Sequence, residues 1–170
     1  MKKITILIIA LMGLLVLANA QISDTFILTP NDLTILQNGI YDEIIITNEN
    51  SFTNEIGSPQ LPIKIVSFVL PYNSTVLDIQ VNSLTEQKLN GNYYIYPVQP
   101  TRWLNGSEPP PFVEPNPAVY GSLIKYPNKT IEIINDGYTH GYHVVTVAIY
   151  PVVYYPADRE IYLRDIETFS

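Results

Sequence analysis

The chain has no cysteine among its 170 residues, which excludes disulfide bonds, thiolate nucleophiles and cysteine-ligated metal sites. It is also poor in basic residues, with nine lysines and arginines against 16 acidic residues and a formal net charge of −7. Nucleic acids and anionic membrane surfaces require a basic footprint, so neither is predicted as a partner. Long amphipathic helical patterns are scarce as well. These absences favour an all-β domain that is stabilised by burial and sheet pairing.

The first 20 residues have the pattern of a signal peptide. Two lysines precede a largely apolar run at residues 4–17, and Ala18-Asn19-Ala20 supplies a small-x-small cleavage pattern. An apolar run of about 14 residues is short for a membrane span, which needs roughly 20. We therefore expect cleavage between Ala20 and Gln21, contact with the membrane only during export, and a secreted or cell-surface protein. Residues 21–170 are predicted to form a single domain.

Short strands separated by turn signals follow along the mature chain. Gly57, Pro59 and Pro62 form a constrained turn that leads into the most apolar run, residues 63–70, which is apolar on both faces and so indicates a central strand. Further strands are predicted at residues 25–28, 41–47, 75–81, 83–89, 93–96, 120–125, 130–134, 142–150 and 160–166, with turns at 29–32, 71–74, 90–92, 135–137 and 158–159. The pattern predicts a β-sandwich of roughly eight to ten short, mainly antiparallel strands.

A long Pro-rich connection at residues 97–117 interrupts the strands. It holds 7 of the 14 prolines, together with Trp103 and the run Pro109-Pro110-Pro111. Proline lacks the N–H group that a central ladder needs, so we expect this segment to be extended and polyproline-like. Its aromatic and apolar side chains predict that it lies across the surface of the domain.

Patterns that carry chemistry are few. His140 and His143 are the only histidines, and at this spacing a strand sends them to opposite faces, so neither a metal site nor a cofactor is predicted. No phosphate loop, calcium loop, paired carboxylates or Ser/His/Asp set stands out, and the chain is not expected to be an enzyme by itself. Asn73, Asn105 and Asn128 begin sequons in predicted loops and are candidate glycosylation sites.

The 13 tyrosines allow two interpretations. A subset (Tyr93, Tyr94, Tyr96, Tyr154 and Tyr155) would form a stacking platform for a glycan, or would pack at the sandwich edges with the hydroxyl groups in water. The first interpretation makes the chain a non-catalytic cell-surface module that binds glycan or protein. It is the alternative to the function considered next.

A series of individually weak motifs occurs in a particular order. The series is Gly57-x-Pro59-x-Leu61-Pro62, a strand ending at Leu70-Pro71, a strand-like stretch at 76–81, Tyr96-Pro97-x-Gln99-Pro100 with its Pro-rich continuation, Gly137 and Gly141, and Pro151-x-x-Tyr154-x-Pro156 before a final hairpin. In this order and spacing the motifs resemble the N-terminal propeptide domain of gingipain-type cysteine endopeptidases. The resemblance covers about residues 23–166.

The resemblance implies a β-sandwich prodomain that covers the active-site cleft of a caspase-like catalytic domain, keeps the zymogen latent during export and assists its folding. The implied partner is that catalytic domain, in cis or in trans. Inhibitors of this family present a basic side chain as a substrate mimic where the enzyme prefers Lys or Arg. Arg102 is the first candidate for that role and Lys125 the second, and the alternative for both is a solvated surface charge. The sequence ends at Ser170 directly after a predicted strand, with no cap, polar tail or anchor and no catalytic domain. We therefore expect a prodomain cut from a longer precursor, or a gene fragment.

Overall fold

The computed structural model describes residues 24–101 and 108–169, with side chains described as far as Ile166 of the last strand. The strands within these ranges are β1 (Asp24–Phe26), β2 (Leu33–Asn38), β3 (Tyr41–Ile46), β4 (Ser51–Phe52), β5 (Pro62–Leu70), β6 (Val81–Leu89), β7 (Ile131–Thr139), β8 (Tyr142–Ile149), β9 (Val152–Tyr155) and β10 (Glu160–Phe169). A 3-10 turn (Pro30–Asp32) and one short helix, α1 (Pro117–Tyr120), complete the described elements. None of the helices in this part of the chain is long and apolar enough to cross a membrane.

The strands form two four-stranded antiparallel sheets and a two-stranded ribbon. One sheet has the order β4-β5-β8-β7. In the other sheet, β10 pairs with β6 along one edge and with β9 and β1 along the other. The ribbon consists of β2 and β3. The predicted all-β, mainly antiparallel sandwich is confirmed.

The buried apolar side chains form two clusters. The larger cluster lies where the ribbon, the segment around residue 95, β9 and β10 meet, and it consists of Leu28, Ile44, Ile46, Leu61, Tyr93, Ile95, Val152, Tyr154, Ile161 and Leu163. The smaller cluster lies between the two sheets and consists of Val145, Val147 and Ile149 of β8 against Ile166 of β10. The period-2 alternation of β8 turns these valines inward, as the sequence pattern predicts.

A buried arginine crosses from β10 to β6. Arg164 is fully buried, and its Nε donates to Oε1 of Glu86 at 3.0 Å while Nη1 donates to the carbonyl oxygen of Lys129 at 2.8 Å. Burial acts to raise the pKa of Glu86, but hydrogen bonds from Lys125 and Arg164 outweigh it and lower that pKa below its ordinary value. The buried guanidinium is therefore paired with an ionised carboxylate. Its contacts fix β10, β6 and the 125–129 segment relative to one another.

The predicted strand at residues 75–81 is wrong. Residues 75–80 form no ladder, and β6 begins only at Val81. The alternation placed Leu77, Ile79 and Val81 on one face; Ile79 and Val81 do pack against the smaller core cluster, as Val76 does, whereas Leu77 is 82% exposed. An alternating sequence makes a strand only where a sheet edge is available to pair with it.

In the C-terminal third the predicted strands at 130–134, 142–150 and 160–166 correspond to β7, β8 and β10, but β9 was not predicted and one turn was misplaced. β7 runs straight through the predicted turn at 135–137, with a register shift between Ile133 and Asn135. The hairpin instead reverses at His140 and Gly141, both of which have positive φ. Gly141 tolerates that conformation, and it replaces the predicted turn as the signal for the hairpin.

Other local predictions are corrected by the structure. The stretch at 120–125 is not a strand, because α1 ends there and a turn follows. The 90–92 turn does not join a hairpin, since β6 pairs with β10 and not with the next segment. The central-strand assignment of residues 63–70 holds only at the start of β5, where β4 pairs with it, and β8 is the strand with long partners on both sides. The predicted strand at 93–96 forms only an isolated bridge, from Ile95 to Asp42, and β2, β4 and β9 were not predicted.

Candidate functional site

The turn from Gly57 to Gln60 is the base from which the Pro-rich connection leaves and to which it returns. Gly57 donates its N–H to the carbonyl oxygen of Val98 at 2.9 Å and accepts a hydrogen bond from the N–H of Asn116 at 2.9 Å. Val98 in turn donates to the carbonyl oxygen of Ser58 at 2.8 Å. Gly57 has φ +81°, a conformation that favours glycine. One buried turn therefore binds the outgoing and the returning arm of the connection.

Aromatic packing holds the returning arm. The ring of Phe112 lies 6.0 Å from the ring of Tyr41 and 5.9 Å from that of Tyr96. The hydroxyl of Tyr41 donates to Oε2 of Glu114 at 3.3 Å, and burial, followed by the charge of Glu114, raises the pKa of Tyr41. Gln99 joins the two arms directly through its side-chain amide. The predicted placement of the Pro-rich connection across the surface holds for its described part.

The two candidate inhibitory residues are Arg102 and Lys125. Arg102 lies outside the described residues, between Thr101 and Glu108. Lys125 is described, and its Nζ donates to Oε1 of Glu86 at 3.0 Å. Lys125 also lines a cleft of about 450 Å³ together with Glu55, Tyr126 and Lys129, so it sits in a concave surface.

The histidines occupy two different environments. His140 is in the exposed hairpin turn, and His143 is buried on β8, so the structure does not bring the pair together. Nε2 of His143 lies 2.6 Å from Oδ1 of Asp136, and its Nδ1 lies 3.1 Å from Oγ of Ser74. Among the described residues, no three side chains of His, Cys, Asp or Glu are grouped as metal ligands.

The Ser74–His143–Asp136 chain was missed by the sequence analysis. It has the residue types of a hydrolase triad, but the hydroxyl of Ser74 donates to the carbonyl oxygen of Pro71 at 2.6 Å and so does not give its proton to the histidine. The network instead fastens the 71–74 turn to the β7–β8 hairpin. Had the sequence prediction placed the hairpin turn at Gly141, it would also have predicted that Asp136 and His143 lie close together on neighbouring strands.

The remaining candidate residues lie as follows. Asn73 and Asn128 are exposed in loops, as their sequons require, and Asn105 lies outside the described residues, as do Ala20 and Gln21. The tyrosine platform is wrong as a single surface, because Tyr154 is fully buried and Tyr93 is 9% exposed. The hydroxyl of Tyr154 donates to the carbonyl oxygen of Tyr93 at 2.8 Å, and burial raises the pKa of Tyr154 to about 12.

A sequence model of one known family matches residues 29–167, a range that includes the turn at Gly57, the Pro-rich connection and all strands except β1 and the end of β10. That family is Propeptide_C25. The chain belongs to the Propeptide_C25 family. It is thus a propeptide domain of the gingipain type and not a catalytic domain, as the order of its motifs predicted. No curated protein matches the chain.

Two solved structures support the fold of this Propeptide_C25 domain. A structure that gives insight into the zymogenic latency of gingipain K from Porphyromonas gingivalis has a TM-score of 0.67 and 24% identity, covering 81% of this chain and 78% of that chain. A complex of the pro- and mature domains of RgpB from Porphyromonas gingivalis has a TM-score of 0.61 and 18% identity, covering 81% of this chain and 73% of that chain. At these identities the similarity is one of fold.

Proposed function

We propose that this propeptide domain keeps a gingipain-type cysteine endopeptidase latent by covering its active-site cleft. Membership in the Propeptide_C25 family supports the role, and the observation that carries the mechanism is the fixed base of the Pro-rich connection. Both arms are held by hydrogen bonds to the turn at Gly57, so the connection is ordered at its ends before it meets an enzyme. A segment ordered in advance loses less conformational entropy on binding.

Within this mechanism, Arg102 is proposed as the side chain that occupies the substrate pocket. It lies in the connection, next to Trp103, and a basic side chain there suits a peptidase that prefers Lys or Arg. Lys125 is the weaker candidate because Glu86 already pairs with it and because it lines a concave surface. The inserted part of an inhibitor has to project from its own surface to reach into a cleft.

The domain is proposed to begin at Gln21 and to act outside the cytoplasm. The signal-peptide pattern of residues 1–20 supports export to the medium or the cell surface. The mass of the exported protein, which we expect to start at Gln21, checks the cleavage position. The peptidase is proposed to be joined to this domain in cis or to meet it in trans, and to fold with its assistance.

The latency proposal is tested by adding the protein, starting at Gln21, to a gingipain-type catalytic domain. We expect the protein to inhibit the hydrolysis of Lys- or Arg-based fluorogenic peptides, and the inhibition to saturate as its concentration is raised. Refolding the catalytic domain with and without the chain measures assistance, as the recovered activity. Full activity at every concentration of the chain would contradict the latency role.

A further inference from the structure

Gln99 spans the base of the Pro-rich connection with its side-chain amide. Nε2 donates to the carbonyl oxygen of Val113 at 2.9 Å and to that of Pro97 at 3.0 Å, and Oε1 accepts from the N–H of Val113 at 2.8 Å. Both amide hydrogens and one oxygen lone pair are therefore engaged. Every one of these partners is a backbone group, so the contacts constrain the path of the chain itself.

The side-chain amide of Gln99 makes hydrogen bonds that the backbone of a paired strand would otherwise make, at a place where the backbone lacks donors. Val113 exchanges two hydrogen bonds with this side chain, as a residue of an antiparallel ladder exchanges two with its partner. Pro97 and Pro100 on either side of Gln99 have no N–H group, and the returning arm contains the Pro109–Pro111 run. The side chain of Gln99 supplies hydrogen bonds between the two arms that the backbone nitrogens of these prolines cannot make.

Neighbouring contacts reinforce the bridge at Val113. A Cβ added at Gly57 would lie 3.6 Å from Cγ1 of Val113, so the turn and the returning arm approach each other closely. Phe112, the next residue outward, packs on Tyr41 and Tyr96. The residues between Gln99 and Val113 thus form a loop whose two ends are held together, which reduces the entropy it can lose when it binds.

We propose that Gln99 is a positioning residue for inhibition: its amide holds the two arms of the connection together at their base and thereby fixes the arrangement in which the connection is presented to the peptidase. This inference rests on the proposed function. It assigns no contact between Gln99 and the enzyme. Its consequence is that inhibition depends on a side chain that lies behind the inhibitory segment, at its base.

The chain provides its own reporter for this clamp, because Trp103 is its only tryptophan and lies in the connection. Two variants separate the contributions of the amide. Gln99→Glu keeps the size and an acceptor for the N–H of Val113 but loses both donors, and Gln99→Leu loses all three hydrogen bonds. Gln87→Glu, at an exposed position of β6, is the matched control for the change in charge.

The experiment measures the fluorescence anisotropy of Trp103 in the free protein, and then the inhibition constant toward the catalytic domain. We expect both Gln99 variants to lower the anisotropy of Trp103 and to raise the inhibition constant about tenfold. A change of this size corresponds to the entropy lost when one or two additional side chains or loop residues must be ordered on binding. Gln87→Glu should change neither. Circular dichroism confirms that each variant remains folded.

The outcomes are distinguishable from a failure of the latency proposal. Unchanged anisotropy in Gln99→Leu would overturn the clamp without any use of the enzyme. Lower anisotropy with an unchanged inhibition constant would overturn the positioning role while leaving latency intact. An unaltered protein that inhibits nothing would overturn the proposed function, and the inference with it.

Discussion

Replacing Arg164 with leucine is expected to lower the free energy of unfolding by about 1–3 kcal/mol, the cost of removing a buried, charged hydrogen-bond donor from its partners. The guanidinium is fully buried and bonds both to Glu86 and to the carbonyl oxygen of Lys129. Leucine would leave that carbonyl oxygen without this donor and Glu86 with only its bond from Lys125. Urea denaturation at neutral pH, followed by circular dichroism, measures the change in the midpoint.

Two further variants locate the origin of this loss. Lys88→Ala removes an exposed ion pair with Glu160 on the same pair of strands, and its midpoint should stay close to that of the unaltered protein. Combining Arg164→Leu with Glu86→Leu should cost less than the sum of the single changes, since the Arg164–Glu86 interaction is lost only once and neither residue remains without the other. An Arg164→Leu midpoint equal to that of Lys88→Ala would show that this buried pair does not hold β10 to β6.

Replacing Arg102 with alanine is expected to weaken inhibition of the catalytic domain by about 30- to 1,000-fold, the range of an interface hot spot worth roughly 2–4 kcal/mol. A basic side chain that fills a substrate pocket contributes charge-assisted hydrogen bonds that alanine cannot make. The stability of the free domain should not change measurably. Inhibition constants from progress curves with a fluorogenic peptide give the ratio.

Lys125→Ala is the matched control for the loss of one positive charge. It should leave inhibition within about threefold, because Lys125 is paired with Glu86 and its removal mainly affects a partly exposed ion pair. Arg102→Lys distinguishes the preference of the target, since a Lys-specific enzyme would tolerate it. If Arg102→Ala inhibits as well as the unaltered chain, Arg102 has no part in the mechanism.

The fold could be predicted where the apolar pattern is strong and local. β8 alternates in burial from Tyr142 to Val147 and lies between two partner strands, and β5 is introduced by prolines that fix the conformation of the turn before it. The pattern failed at residues 75–80, because alternation does not say whether a sheet edge is free to pair. It also failed at β2, whose side chains are largely exposed along the ribbon and which pairs, within the described residues, with β3 alone.

The site could be predicted only in outline. Composition located the Pro-rich connection, and the order of motifs around it indicated the family. The clamp at Gln99 could not be predicted, since its three hydrogen bonds depend on Val113, a residue 14 positions away, returning to the same place. The Ser74–His143 contact depends in the same way on a separation of 69 residues. Contacts of this kind are set by the complete fold.

The proposed mechanism requires that the domain bind at the active-site cleft. Titration calorimetry of the protein with the catalytic domain, once free and once with its active-site cysteine blocked by a substrate-like covalent inhibitor, tests this most directly. We predict that blocking the cleft weakens binding by at least about tenfold, since the covalent inhibitor then occupies the cleft that the segment with Arg102 is proposed to enter. Equal affinity for the free and the blocked enzyme would contradict the account.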